Sequence, residues 1–114
     1  MKKIIIIGLG SHAKVVADEI NRSKKYKILG FVDAYKKISY MKPFYKNLKV
    51  LGGLDFLKKK TKSEAIMAIG SNHERISILN KLSRNKQIIK WAKIISKNAI
   101  ISESVKIGEG SVII

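Results

Sequence analysis

Residues 1–20 read MKKIIIIGLGSHAKVVADEI. Four consecutive isoleucines, at positions 4–7, run into Gly8-Leu9-Gly10. An unbroken apolar run ending in glycine fits a strand buried on both faces, as in a parallel sheet. Over residues 11–23 the apolar side chains Ala13, Val16, Ala17 and Ile20 recur at helical spacing. Residues 26–33, YKILGFVD, read as a second buried strand that ends in an acid. A β-α-β unit is therefore complete within the first third of the chain.

The turn in this unit has the form Gly8-x-Gly10-x-x-Ala13, and Asp33 follows Gly10 by 23 residues. This is the context that a dinucleotide-type fingerprint requires. Gly8 permits a tight turn, Gly10 lets a phosphate approach the backbone, and Ala13 is small where helix meets strand. The first N–H groups of the helix, at Ser11 and His12, favour an anion. Asp33 can accept hydrogen bonds from a ribose hydroxyl or a base N–H. A tight turn that holds no ligand would need the same glycines. A second glycine turn, Ala68-Ile69-Gly70-Ser71-Asn72, closes a later strand and opens a helix, with Asn72 as the expected cap. Two such turns at strand ends predict a cleft. The two histidines, His12 and His73, fall one in each turn. Either could contact a phosphate, but no carboxylate is placed in sequence to orient one as a base, so no catalytic residue is assigned. The His and acid spacing offers no metal set.

Along the rest of the chain, residues 34–48 contain the only proline and show no period, which predicts a long surface loop. A short strand over 49–51, a short helix over 54–60 and a buried strand over 64–70 follow. The next helix, 74–83, is expected to bury Ile76, Leu79 and Leu82, and residues 88–95, IIKWAKII, read as a last long strand. Strand and helix alternate throughout, which defines an α/β chain with a parallel sheet. The tail then changes character. Read in sixes it is AIISES, VKIGEG, SVII, with Ala99, Val105 and Ser111 opening the sixes and Ile101, Ile107 and Ile113 two places later. A hexapeptide period marks a left-handed parallel β-helix. One extended terminal strand is the simpler alternative. Since such coils are stable only when several stack, the period predicts further coils after residue 114.

The chain has 114 residues, 46% of them apolar, and no cysteine. That bounds it to about one small domain without disulfide or thiolate chemistry. There is no apolar run of about 18 residues and no secretory-type leader, so a membrane partner is not expected and a cytoplasmic location is. The formal net charge is +16, yet among 24 basic residues only Arg22, Arg75 and Arg84 are arginine. Nucleic-acid readers rely on arginine for bidentate contacts, so scattered lysine reads first as a solvated basic surface. The best support for nucleic acid is residues 35–49, where Tyr35, Tyr40, Phe44 and Tyr45 interleave with lysines.

Taken in order, GLGSHAK, GFVD, VLGGLDFL, AIGSNHER and NAIISESVKIGEGSVII resemble the sialic-acid O-acetyltransferase and bacillosamine N-acetyltransferase family, the NeuD-like and PglD-like enzymes. The resemblance implies a Rossmann-like parallel sheet with flanking helices over residues 1–96, followed by the first coils of a left-handed β-helix over 97–114. It implies a UDP-linked amino sugar as ligand of the first domain, and acetyl-CoA as acyl donor held in β-helix coils beyond residue 114. The full-length protein would be a homotrimer acting in surface-glycan synthesis, with its base also in the missing coils, so that this piece alone is inactive. Carried onto this chain, Gly8, Gly10, Ser11 and His12 would hold the diphosphate, Asp33 would face the uracil or ribose, and Gly70 and His73 would line the sugar-nucleotide cleft. Two other readings stay open. The fingerprint alone permits an NAD(P)-binding dehydrogenase domain, and the basic aromatic stretch permits a small nucleic-acid module.

Overall fold

The computed structural model describes residues 1–35, 43–58, 62–84, 89–96, 98–99, 101–104 and 106–114. The elements are β1 (Lys2–Ile7), α1 (Ser11–Ser23), β2 (Tyr26–Asp33), β3 (Pro43–Tyr45), β4 (Leu48–Gly53), a 3-10 turn (Leu54–Lys58), β5 (Ser63–Met67), α2 (Asn72–Arg84), β6 (Ile94–Ile95) and β7 (Val112–Ile113). The main sheet runs β3-β4-β2-β1-β5, parallel throughout except for the antiparallel β3–β4 pair. With its flanking helices this is the expected Rossmann-like α/β architecture.

The four isoleucines show why the run is unbroken. Successive side chains of a strand point to opposite faces. Ile4 and Ile6 enter one core with Ala13, Val16, Ala17 and Ile20 of α1, whereas Ile5 and Ile7 enter the other with Ile78 and Leu82 of α2. Both faces of the central strand are covered, so neither set of positions can be polar. Helix α1 ends at Lys24, whose φ of 55° breaks the helical geometry.

Several expectations are corrected. In α2, Ile78 and Leu82 are buried, while Ile76 and Leu79 are 58% and 44% exposed. The sequence offers two apolar stripes, and the β5–α2 turn fixes which one meets the sheet. The turn is capped by Ser71, whose Oγ accepts from the Glu74 amide at 3.3 Å, and not by Asn72, which is the first helical residue. The expected 34–48 loop contains β3 and the start of β4. Phe44 packs edge-on against Phe31 at 4.8 Å, and the Tyr45 hydroxyl donates to the Asp18 carboxylate. Three residues are too few to show a period, and their partners are distant in sequence. Residues 36–42, which carry Tyr40 and three of the lysines of the basic aromatic stretch, lie outside the described residues, as do Lys59 and Lys60 at the end of the expected 54–60 helix.

The expected strand over 88–95 is not continuous, and Ile88 lies outside the described residues. Trp91 bridges Ala65, with the Ala65 amide donating to Lys90 and the Ala92 amide to Ala65. The chain then leaves the sheet. The Ile94 and Ser96 amides donate to the carbonyls of Ser111 and Ile113 at 2.8 and 2.7 Å. The apolar pattern of IIKWAKII is satisfied by either ladder, so it could not announce the change of partner. In the tail, Ala99, Ile101, Ile107, Ser111 and Ile113 are half-buried, and Val105 lies outside the described residues.

A buried acid staples the far end of the sheet. Glu64 of β5 accepts a hydrogen bond from the Tyr26 hydroxyl at 3.0 Å and lies 3.6 Å from the Lys2 amine. Partial burial, then this bond to Glu64, raises the Tyr26 pKa above its ordinary 10.0. The stabilisation is therefore complete below about pH 10 and is lost as the pH climbs through the raised value. Tyr26→Phe is expected to cost about 1 kcal/mol near neutrality. Paired denaturation curves at about pH 7 and about pH 11 should show the gap between the two proteins close, because an ionised phenolate repels Glu64.

Candidate functional site

Strand β1 has β2 on one side and β5 on the other, although β2 follows it and β5 comes much later. The chain thus leaves β1 first in one direction and then in the other. In open parallel sheets the crevice at such a reversal, beyond the carboxyl ends of the strands, is the ligand position. A cleft of about 550 Å³ lies there. The β1–α1 turn supplies Gly8 through His12, the end of β2 supplies Asp33 through Tyr35, and the β5–α2 side supplies Ala68, Ile69, Gly70 and Glu74.

The two glycines of the first turn are glycine for different reasons. Gly8 has φ of 133°, and a Cβ there would sit 2.6 Å from the Ala68 carbonyl oxygen. Its amide donates to Val32 at 2.9 Å while Ala68 donates to the preceding residue, Ile7, at 2.8 Å, so bonds at this turn tie three strand ends together. Gly10 has φ of −86°, open to any residue, and a Cβ there would meet nothing within 4 Å. It caps α1 without a side-chain acceptor, and no acid lies in the first turn of that helix. Gly70, in the β5–α2 turn, likewise has open space where a Cβ would stand. Internal packing dictates Gly8; it does not dictate Gly10 or Gly70, and both face the cleft.

At the other end of the cleft the groups are acidic. Asp33 is 4% exposed, and its Oδ1 accepts from the Tyr35 amide at 2.8 Å, which holds the carboxylate at the strand end. The Tyr35 phenol has a raised pKa, owing first to desolvation and then to the Glu74 carboxylate nearby. Tyr35 from the β2 end and Glu74 from α2 both line the cleft. Among the described residues, no group of three or more His, Asp or Glu could hold a metal ion, and no helix is long and apolar enough to cross a membrane.

Of the residues singled out from sequence, Gly8, Gly10, Ser11, His12, Asp33 and Gly70 meet in this one cleft. His73 does not line it: it is exposed in the first turn of α2, and its neighbour Glu74 faces the cleft instead. Glu74 was not singled out, and Tyr35 was named only in the basic aromatic stretch, not as part of this cleft. Glu74 had a signal, an acid in the first turn after the second glycine turn. Nothing in the sequence tied Tyr35 to the cleft, since it is placed there by the Asp33 turn.

An open, mainly parallel sheet with glycine turns meeting at its reversal point defines the class, a Rossmann-like α/β domain. The PglD N-terminal domain family matches residues 3–82, and the chain belongs to that family. No curated protein matches it by sequence. Among solved structures it is similar to a mutant of perosamine N-acetyltransferase from Caulobacter crescentus in complex with CoA and GDP-perosamine. That match has 27% identity and a TM-score of 0.76, and covers 99% of this chain and 52% of that one. It is also similar to the acetyltransferase domain of PglB from Neisseria gonorrhoeae, at 28% identity and a TM-score of 0.76, over 98% of this chain and 53% of that one. The same domain in complex with acetyl coenzyme A matches at 26% identity and a TM-score of 0.75, over 97% and 52%. The chain spans about half the length of these structures.

Proposed function

We propose that this chain is the nucleotide-sugar-binding part of an acetyl-CoA-dependent sugar acetyltransferase of surface-glycan synthesis, with a UDP-linked amino sugar or its GDP-linked counterpart as ligand. The observation that carries this reading is the pair Gly10 and Gly70: two glycines in the turns after the neighbouring strands β1 and β5, both lining the switch-point cleft and each with open space where a Cβ would stand. Space kept clear at the start of α1 suits a phosphate, whose oxygens accept from the free first-turn N–H groups. The acidic end, with Asp33, suits the N–H and hydroxyl donors of a base and ribose.

In this reading the chain's own residues bind and orient. Holding the sugar amine against an acyl thioester turns a two-body encounter into an effectively one-body step, worth several kcal/mol of barrier. The CoA and GDP-perosamine named with the Caulobacter relative support both partners. The base and the acetyl-CoA site would belong to the portion of the relatives that this chain does not span, in a homotrimeric, cytoplasmic full-length protein. A β-helix onset near residue 97 is supported by β6 and β7, which pair in parallel with Ile94 opposite Val112. An offset of three sixes is what one coil of a hexapeptide helix needs. The nucleic-acid reading loses two of its four aromatics, because Phe44 and Tyr45 are half-buried against the core.

The test is calorimetric titration of the chain with UDP, GDP, a UDP-linked amino sugar and NAD in moderate salt. Saturable binding of a nucleoside diphosphate or its sugar is expected. Binding of NAD alone would overturn the proposal in favour of a dehydrogenase domain.

A further inference from the structure

Beyond His12 a second cleft opens, of about 570 Å³. His12 lines both clefts, so the start of α1 is the doorway between them. The second cleft has an apolar floor from Val112 and Ile113 of β7, and its polar walls carry Arg75, Lys106 and Ser111. Among the described residues, no acidic side chain lines it. The two clefts therefore differ in sign: the first ends in Asp33 and Glu74, the second in Arg75 and Lys106. Helix α2 divides them, since the adjacent residues Glu74 and Arg75 point about 100° apart around its axis.

Arg75 is half-buried, and among the described residues it has no ion-pair partner. Its amide is bonded to the Ser71 carbonyl at 3.0 Å, which fixes the base of the side chain in the first turn. Glu109 lines a smaller neighbouring pocket with Arg75 but forms no ion pair with it. A guanidinium held partly out of water with no paired carboxylate is an arrangement that an anion completes. Its planar fork matches two oxygens of one phosphate.

We propose that Arg75 binds the distal phosphate of a nucleoside diphosphate, with His12 between it and the proximal phosphate at Gly10. The inference rests on the nucleotide reading above. In that reading the proximal phosphate sits at the start of α1, and the next group along the ligand must pass His12 into the second cleft. A nucleoside monophosphate ends before Arg75; a diphosphate reaches it.

The experiment compares UMP with UDP and GMP with GDP, on the unaltered chain and on Arg75→Gln and Arg75→Lys, by calorimetry. The unaltered chain should bind the diphosphate about tenfold or more tighter than the monophosphate, the increment of a charge-assisted bidentate contact. Arg75→Gln should erase that preference and leave the monophosphate affinity unchanged, which also reports that the fold is intact. Arg75→Lys should keep part of the preference, since a lysine supplies charge without the fork. A preference that survives Arg75→Gln, or monophosphate and diphosphate weakened together, would overturn the role of Arg75 while the nucleotide reading stands. Failure of the unaltered chain to bind any of the four would overturn both.

Discussion

Replacing Gly8 with alanine is expected to destabilise the protein by about 3 kcal/mol, and so to lower its melting temperature by roughly 10 °C or more. The change adds one methyl group. At φ of 133° an L side chain is strained wherever it is placed, and here the added carbon would also stand 2.6 Å from the Ala68 carbonyl oxygen. Neither end can yield cheaply. Gly8 donates to Val32 and Ala68 donates to Ile7, so moving the turn pulls on β1, β2 and the exit from β5 together. A small domain holds only about 5–15 kcal/mol in total, which makes the effect easy to read in a thermal or urea denaturation. An unchanged midpoint would mean that the two turns are not packed as described.

Gly10→Val should do the reverse. Two residues further on, the backbone is in an ordinary extended conformation and a Cβ would enter open space. The stability loss should stay within about 1 kcal/mol, the difference between glycine and a β-branched residue at a helix cap. Binding should suffer far more. The valine methyl groups would occupy the space where a phosphate reaches the first-turn N–H groups, and losing one or two charge-assisted contacts weakens affinity by roughly a hundredfold. Circular dichroism and calorimetry on the same sample separate the two effects. A Gly10→Val protein that melts normally and still binds UDP or GDP at full strength would sink the assignment of this turn. Together, the pair of variants divides the Gly-x-Gly motif into a structural and a functional half.

Much of the fold was legible because it is local. The boundaries of α1 and β2 follow directly from residues 11–23 and 26–33, where apolar spacing, a small residue at Ala13 and an acid at the strand end all agree. The Gly-x-Gly turn between two such elements located most of the cleft for the same reason: its geometry depends on nearest neighbours along the chain. The core of β4 was legible as a short strand over 49–51, but β3 and its antiparallel pairing were not. The residues of β3 are ordered by Phe31 and Asp18, and contact with a distant partner leaves no period in a three-residue strand.

What the sequence alone determined is the β-α-β unit, its two-faced isoleucine strand and the presence of glycine turns at two strand ends. Only the tertiary structure decided the rest. It buried Ile78 in preference to Ile76, drew the chain after Trp91 away from the sheet to pair with β7, and turned Glu74 and Arg75 into two clefts of opposite sign. It also told Gly8 from Gly10. One letter serves both positions, but whether a missing side chain makes room for the protein's own backbone or for something else depends on what lies within 4 Å of it, and that distance is set by strands far apart in the chain.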